Sequence, residues 1–182
     1  MIEYEGKDIR NVVLLGHAGS GKSTFIESAL LLTNEIDRMG NSSDGSLAMD
    51  YDPEEAKRGL SVYSSIAPIQ WKGRKINFID TPGYLDYEGD MVSGASVADL
   101  ALIFVSGKEG QQSGTEKAAN LAIKLGIPIC FLINNADEGI KFEEIAKSLT
   151  DVYGRGAVPF LIPEMDGNKM IGVRNTIYEE ND

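Results

Sequence analysis

The strongest chemical signal in the sequence is a run of eight residues, 16–23, that reads GHAGSGKS. Its three glycines allow consecutive backbone N–H groups to turn towards an anion. Lys22 adds a compact positive charge, and Ser23 adds a hydroxyl group of the kind that binds Mg²⁺. The pattern GxxxxGK[ST] is typical of a P-loop, which holds the phosphate groups of a nucleotide.

The surroundings of this run favour a phosphate loop over a glycine-rich turn that only caps a helix. An apolar stretch at residues 12–15 precedes it and predicts a buried strand. A helical pattern follows from Lys22 to Leu32, and the N-terminus of such a helix attracts anions. His17, the one histidine, is interpreted as a packing or surface side chain rather than a catalytic group. The residues expected to line the nucleotide site are His17, Ala18, Gly19, Ser20, Gly21, Lys22, Ser23 and Thr24.

A second signal, Asp80-Thr81-Pro82-Gly83, follows a predicted strand at residues 75–80. An acidic residue at the carboxyl end of a strand is the usual partner of a phosphate loop, so Asp80 is expected to hold Mg²⁺ through a water molecule. Gly83 lacks a side chain, so its N–H can approach a γ-phosphate and lose that contact after hydrolysis. Pro-Gly is also a common turn, and the signal gains weight only from the loop upstream.

A third signal, residues 131–137, reads FLINNAD and ends another predicted strand. It resembles the N-K-x-D element with which GTPases recognise guanine. A carboxylate at Asp137 accepts hydrogen bonds from the N1–H and amino group of guanine, which adenine does not present. Asn134 and Asp137 match, whereas Asn135 stands where the pattern has lysine. We therefore expect guanine selectivity with reduced affinity; taken alone, NNAD would indicate only a turn.

Short apolar runs that alternate with helical patterns must position these residues. They predict an α/β fold: a three-layer P-loop NTPase sandwich with a mainly parallel sheet and one antiparallel hairpin strand. The hairpin is predicted from residues 71–74, between strands at 61–70 and 75–80, and further strands are predicted at 101–105 and 127–133. A capping box at residues 113–116 predicts a helix. Its expected buried residues are Ala118, Leu121, Ala122 and Leu125. Another helix is predicted at Phe142–Tyr153.

Composition narrows the possible functions. A chain of 182 residues is long enough for one domain with a core. Its net charge of −11 would repel a phosphate backbone, so general binding of DNA is not expected. The sequence contains no apolar run of about 18 residues, so no transmembrane helix or membrane association is expected. Cys130 lies in an apolar run and is predicted to be a core residue, which fits a reducing cytoplasm.

The order GHAGSGKS, RGLSV, DTPGY and NNAD resembles translational GTPases, and among them elongation factor G. Residues 49–62, MDYDPEEAKRGLSV, resemble the first switch of those factors. The likeness extends over roughly residues 10–153. It implies a cycle in which GTP orders the switches, the ribosome triggers hydrolysis and product release relaxes them. It also implies that residues 33–60 are disordered without a triphosphate.

The resemblance implies roles for two more residues. Ser61 stands where the family has a threonine that binds Mg²⁺, so the metal set becomes Ser23, Ser61 and Asp80. Tyr84 stands where elongation factors usually have a histidine that positions the attacking water. With an ordinary pKa of about 10, a tyrosine cannot act as a base near neutral pH, although it can orient water. The catalytic set is then Lys22, Gly83 and Tyr84.

Three functions remain open from the sequence. The leading one is a GTPase that uses Mg²⁺, slow in isolation and activated by the ribosome. The second is a GTP/GDP switch with negligible hydrolysis, which Tyr84 favours. The third is an ATP-dependent P-loop enzyme or kinase, against which Asp137 argues. Residues 1–155 are predicted to form the GTP-binding domain, and residues 156–182 the start of an inserted subdomain or a C-terminal hairpin. The family's last strand, with its guanine-contacting S-A-x loop, is not found, so the chain is expected to be a fragment.

Overall fold

A computed structural model describes residues 3–40, 46–48, 63–83, 88–135, 141–167 and 169–177. Among the described residues, the strands are β1 Ile9–Gly16, β2 Ser65–Trp71, β3 Arg74–Asp80, β4 Leu100–Ser106, β5 Ile129–Asn134, β6 Leu161–Asp166 and β7 Lys169–Asn175. Five of these strands form one sheet in the order β2-β3-β1-β4-β5, and β6 and β7 form a separate antiparallel hairpin. The sheet is parallel except for β2, which runs antiparallel to β3.

Helices cover both faces of the sheet. In the described part of the chain, a short 3-10 helix, Gly6–Asp8, precedes β1, and four α-helices follow: α1 Lys22–Leu32, α2 Glu88–Ser96, α3 Ser113–Leu125 and α4 Phe142–Tyr153. On one face, Ile26 and Leu30 of α1 pack with Leu14 and Phe104 of the central strands. On the other face, α2 and α3 pack against the same strands. The predicted three-layer α/β sandwich is therefore confirmed.

The parallel register brings the three sequence motifs to one edge of the sheet. Leu14 of β1 lies beside Asp80 of β3, Gly16 lies beside Phe104 of β4, and Ser106 lies beside Asn134 of β5. Parallel strands end on the same side, and ligands of open α/β sheets bind outside these carboxyl ends. The fold thus places the phosphate loop, Asp80 and Asn134 next to one another.

Several boundaries differ from the sequence-based predictions. The hairpin turn is only Lys72-Gly73, both with positive φ (48° and 77°), so Trp71 and Arg74 pair as strand residues. Two central residues with positive φ are typical of the turn whose twist matches the flanking strands.

The N-cap of α3 and the residues that this helix buries also differ from the prediction. The N-cap is Gln112 rather than Ser113, and its backbone N–H donates to Thr115 Oγ1 at 3.4 Å. Leu125 is 41% exposed, and Ala119 is buried instead. Leu125 is the last residue of the helix, which ends at Gly126 with φ of 69°. Alanines make up the face towards the sheet because small side chains allow close approach.

The sequence patterns did not predict one helix and overestimated the burial of Cys130. Helix α2 was not predicted, since only Met91 and Ala95 of its nine residues are buried apolar side chains. Cys130 is only half-buried, because β5 is an edge strand, and this burial raises the pKa of its thiol. Among the described helices, none is both long and apolar enough to span a bilayer.

Candidate nucleotide-binding site

The phosphate loop follows β1 directly, and glycines make its course possible. Gly16 and Gly21 have φ of 137° and 91°, values that side-chain-bearing residues rarely adopt. A Cβ atom at Gly16 would lie 2.7 Å from the Phe104 carbonyl oxygen, and one at Gly21 would overlap the Asn134 side chain. The loop therefore fits closely against β4 and β5, and helix α1 begins at Lys22, immediately after it.

Lys22 lies inside this loop rather than in solvent. It is 6% exposed, and its Nζ donates hydrogen bonds to the carbonyl oxygens of Gly16 (3.2 Å) and His17 (3.1 Å). Burial lowers the pKa of Lys22, and the nearby Asp80 carboxylate opposes that shift. A partly desolvated ammonium group held by loop carbonyls is suited to pairing with a phosphate anion, since desolvation strengthens such a pairing.

Ser23 and Asp80 meet directly beside the loop. Ser23 Oγ donates to Asp80 Oδ2 at 2.7 Å, and Asp80 is 1% exposed at the end of β3. A hydroxyl and a carboxylate side by side are hard oxygen ligands. Within the described residues, no group of three or more His, Cys, Asp or Glu side chains surrounds a metal position. Mg²⁺ needs no such cage, because it usually binds one or two side chains together with phosphates and water.

The segment after Asp80 contacts β1 and the phosphate loop. Thr81 is buried, and its Oγ1 donates to the Leu14 carbonyl oxygen at 2.8 Å. A Cβ atom on Gly83 would lie 2.6 Å from Lys22 Nζ and 2.8 Å from the backbone nitrogen of Ala18. The structure thus brings Gly83 against the phosphate loop. Tyr84 lies outside the described residues.

The end of β5 is also fastened to the loop. Asn134 Nδ2 donates to the Ser20 carbonyl oxygen at 2.9 Å, and the Gly107 backbone N–H donates to the Asn134 carbonyl oxygen at 2.7 Å. Asn135 is exposed and adopts φ of 57°, which turns the chain at the end of the strand. Asp137 and Ser61 lie outside the described residues, so their predicted roles rest on sequence alone.

A cavity of about 220 Å³ lies along the outer side of the loop. The residues that line it come from the loop, from the segment after β4 and from the end of β5: Ala18, Gly19, Ser20, Ser106, Lys108, Glu109, Gln112 and Asn135. Sequence reasoning did not select Lys108, Glu109 or Gln112, although their position after a strand's carboxyl end was a usable signal. On this outer side, Ala18, Gly19 and Ser20 of the loop adjoin the cavity, whereas Lys22 occupies the inside of the loop.

Two other predicted site residues occupy different environments. Thr24 is exposed in the first turn of α1. His17 is half-buried, and Gly114 of α3 packs so closely that a Cβ there would lie 3.0 Å from His17 Nδ1. Within the described part of the chain, that buried nitrogen has no hydrogen-bond partner. His17 thus packs against α3, as expected of a packing residue.

A comparison with known families agrees with this geometry. The family model described as the elongation factor Tu GTP binding domain matches residues 7–175. The chain belongs to this family. It is therefore a GTP-binding domain of a translational GTPase, and membership of the family implies hydrolysis of GTP. The translational GTPase prediction from the motif order is confirmed, and the family match does not favour the ATP-dependent alternative.

Two of the similar proteins are elongation factor G-like proteins. An elongation factor G-like protein of Mycobacterium tuberculosis is 32% identical over 176 residues, which cover 96% of this chain and 24% of the relative. Another, from Thermotoga maritima, is 32% identical over 158 residues, which cover 86% of this chain and 22% of the relative. The chain thus spans about a quarter of the length of these relatives.

Solved structures support the same fold. A protein of Thermus thermophilus superposes with a TM-score of 0.89 and 33% identity over 97% of this chain and 28% of its own. The translation elongation factor SelB of Methanococcus maripaludis, solved with the GTP analogue GppNHp, has 24% identity and a TM-score of 0.56. That match covers 79% of this chain and 25% of SelB. At this identity, the second likeness concerns the fold alone.

Proposed function

We propose that this domain binds GTP together with Mg²⁺ and hydrolyses it slowly by itself. In the longer protein, it acts as a ribosome-linked switch of an elongation factor G-like translation factor in the cytoplasm. The observation that carries the proposal is the meeting of four groups at one point of the sheet edge: the Lys22 ammonium, the Ser23 hydroxyl, the Asp80 carboxylate and Gly83. Each is a group that phosphoryl transfer requires.

Different residues would contact the phosphates, the metal ion, the base and the attacking water. Lys22 and the loop amides would stabilise charge on the β- and γ-phosphates. Ser23 and Asp80, joined by Ser61, would hold Mg²⁺, which neutralises phosphate charge when bound. Asn134 holds the loop in place through Ser20, while Asp137 would select guanine. Gly83 would donate its N–H to the γ-phosphate, and Tyr84 would orient water by hydrogen bonding.

Single-turnover hydrolysis of GTP by the isolated domain tests this division. We expect slow hydrolysis, and a rate at least about tenfold lower in Gly83→Ala, since loss of one preorganised N–H donor costs about 10²–10³-fold in rate. The added Cβ would collide with Lys22 Nζ and the Ala18 backbone, so residue 83 must move away from the loop. GDP affinity should change less than about threefold, because GDP has no γ-phosphate to contact Gly83.

Gly89→Ala is the matched control, because a Cβ at Gly89 of α2 meets no atom within 4 Å. Fast turnover by the bare domain, or an unchanged rate in Gly83→Ala, would contradict the proposal. The full-length protein mixed with ribosomes separates the two remaining functions. Acceleration supports the GTPase switch, whereas negligible hydrolysis under both conditions favours a switch that acts by binding alone.

The domain boundary is part of the same proposal. Residues 1–155 would form the GTP-binding domain, and residues 156–182 would begin a separate subdomain or hairpin. Strands β6 and β7 support this division because they form a sheet of their own. Within the described chain, no strand pairs with the outer edge of β5, whose side chains are half-buried.

A further inference from the structure

Lys108 is a charged residue beside the phosphate loop that the proposed chemistry does not use. It follows the carboxyl end of β4 and lines the cavity along the outer side of the loop, together with Gly19 and Ser20. Among the described residues that line this cavity, Lys108 is the one cation. The net charge of the chain is −11, so each cation close to a phosphate site helps to offset repulsion of the nucleotide.

Hydrogen bonds fix the backbone of the turn that carries Lys108. The Gly107 N–H donates to the Asn134 carbonyl oxygen at 2.7 Å, and a Cβ on Gly107 would lie 2.7 Å from the same oxygen. On the other side of Lys108, the Glu109 N–H donates to Ser106 Oγ at 3.1 Å. The turn therefore packs directly on the end of β5, which sets the point from which the Lys108 side chain extends.

The ammonium group of Lys108 is available for a further partner. Its side chain is exposed, and within the described part of the chain no hydrogen bond or ion pair holds it. The neighbouring Glu109 carboxylate has a different partner, because its Oε2 accepts a hydrogen bond from Gln112 Nε2 at 2.6 Å. A lysine side chain is a flexible four-carbon stem, so its ammonium group can move into an adjoining cavity.

The cavity wall contains an oxygen atom that needs a partner. Ser20 is 3% exposed, and its Oγ has no hydrogen-bond partner among the described residues. A buried hydroxyl group without a partner is costly, so a donor that reaches it is stabilising. Asn135, also on the wall, is neutral where the guanine-recognition pattern has lysine. The end of β5 therefore brings no positive charge to this cavity.

We propose that Lys108 is a positioning residue for the phosphate loop: when a nucleotide occupies the loop, the Lys108 ammonium group enters the cavity and donates to Ser20 Oγ. Lys22 binds the Gly16 and His17 carbonyl oxygens from inside the loop, so two ammonium groups then hold the loop from opposite sides. The negative charge of the phosphates attracts the second cation. The inference rests on the proposed function, because it requires a nucleotide in the loop.

Trace acylation of lysine side chains, read by mass spectrometry in the presence of Mg²⁺, tests the placement directly. A contact of this strength changes a population by about fivefold, so we expect GDP to slow acylation of Lys108 about fivefold. Lys147, an exposed lysine of α4, is the control and should react equally with and without GDP. Ser20→Ala removes the acceptor and should abolish the protection of Lys108. Equal acylation of wild-type Lys108 in both states, or full protection in Ser20→Ala, would overturn the inference.

GDP affinity of variants tests the effect on the loop. Lys108→Met should lower the affinity about fivefold, whereas Lys147→Met, which changes the net charge equally, should leave it unaltered. Asn135→Lys supplies an ammonium group from another part of the same wall. In the Asn135→Lys background, the loss caused by Lys108→Met should shrink to less than about twofold, since the two ammonium groups share one cavity.

The double-mutant comparison separates positioning from a purely structural role. If Lys108 only shaped its turn, Lys108→Met would cause the same loss in both backgrounds, and the inference would fail. It would fail equally if Lys108→Met bound GDP as tightly as Lys147→Met. Failure of the wild-type domain to bind GDP would instead overturn the proposed function, and the inference with it.

Discussion

Replacement of Lys22 by methionine is expected to lower the affinity for GDP by about 10²–10⁴-fold. A hydrogen bond to a charged group contributes about 1.5–3 kcal/mol, and Lys22 would lose about two such contacts with phosphate oxygens. At about 1.4 kcal/mol per factor of ten, this corresponds to about two to four orders of magnitude. Methionine has a similar length, so the stem can fill the space that Lys22 occupies inside the loop.

Lys22→Met should not unfold the protein, and this separates binding from stability. The Lys22 ammonium is buried, and that burial lowers its pKa, so the charged form carries a desolvation cost in the nucleotide-free domain. Methionine removes this cost but leaves the buried Asp80 carboxylate without its nearby cation, and the two effects oppose each other. Thermal unfolding without nucleotide should therefore show a midpoint close to that of the wild type.

Lys124→Met, which changes an exposed lysine in the last turn of α3, is the control for this pair of measurements. It should leave GDP affinity unchanged. If Lys22→Met bound GDP as tightly as the wild type, the loop would not be holding phosphate. If the nucleotide-free variant were strongly destabilised instead, Lys22 would also hold the loop together through its hydrogen bonds to Gly16 and His17.

Replacement of Asp137 by asparagine is expected to change which base is bound. The carboxylate would accept from both N1–H and the amino group of guanine, whereas an amide offers one acceptor and places donors against them. Two charge-assisted hydrogen bonds contribute about 3–6 kcal/mol, so GDP affinity should fall at least about 10²-fold. Xanthosine diphosphate carries a carbonyl in place of the amino group, so its affinity should rise. Competition of GDP, XDP and ADP against a labelled nucleotide measures the change.

Asp151→Asn removes an exposed carboxylate from α4 and serves as the control, since it should leave the order of the three nucleotides unaltered. If Asp137→Asn kept the wild-type ratio of GDP affinity to XDP and ADP affinity, a group other than Asp137 would recognise the base. Asn135 would then become the first residue to test, because it lines the cavity beside the phosphate loop.

The sequence predicted the fold well wherever a local pattern determines structure. Helices α1 and α4 begin and end at the predicted residues, because periodic apolar residues and terminal glycines mark them. The motifs at Lys22, Asp80 and Asn134 each lie at or after the end of a predicted strand, and parallel pairing of these strands brings them to one edge of the sheet. Glycines in a phosphate loop and acids after strands are recognisable because the chemistry itself restricts the residue types.

The rest depended on contacts between distant parts of the chain. Glu27 lies on an otherwise apolar helix face, and its partners Gly40 and Ala48 are 13 and 21 residues away, so no local pattern indicates its burial. Helix α2 buries few apolar side chains and has no clear period. The link from Asn134 to the Ser20 carbonyl spans 114 residues and appears only once both strand ends are in place.

The central claim is that a lysine-backed loop of backbone amides holds the phosphates while a separate carboxylate selects guanine. Calorimetric titration of the wild-type domain with GDP and with ADP, in Mg²⁺, tests it most directly. The account predicts one GDP bound per chain, with ADP at least about 10²-fold weaker because adenine leaves the Asp137 carboxylate without its donors. Equal affinities for the two nucleotides, or no heat of binding with either, would contradict it.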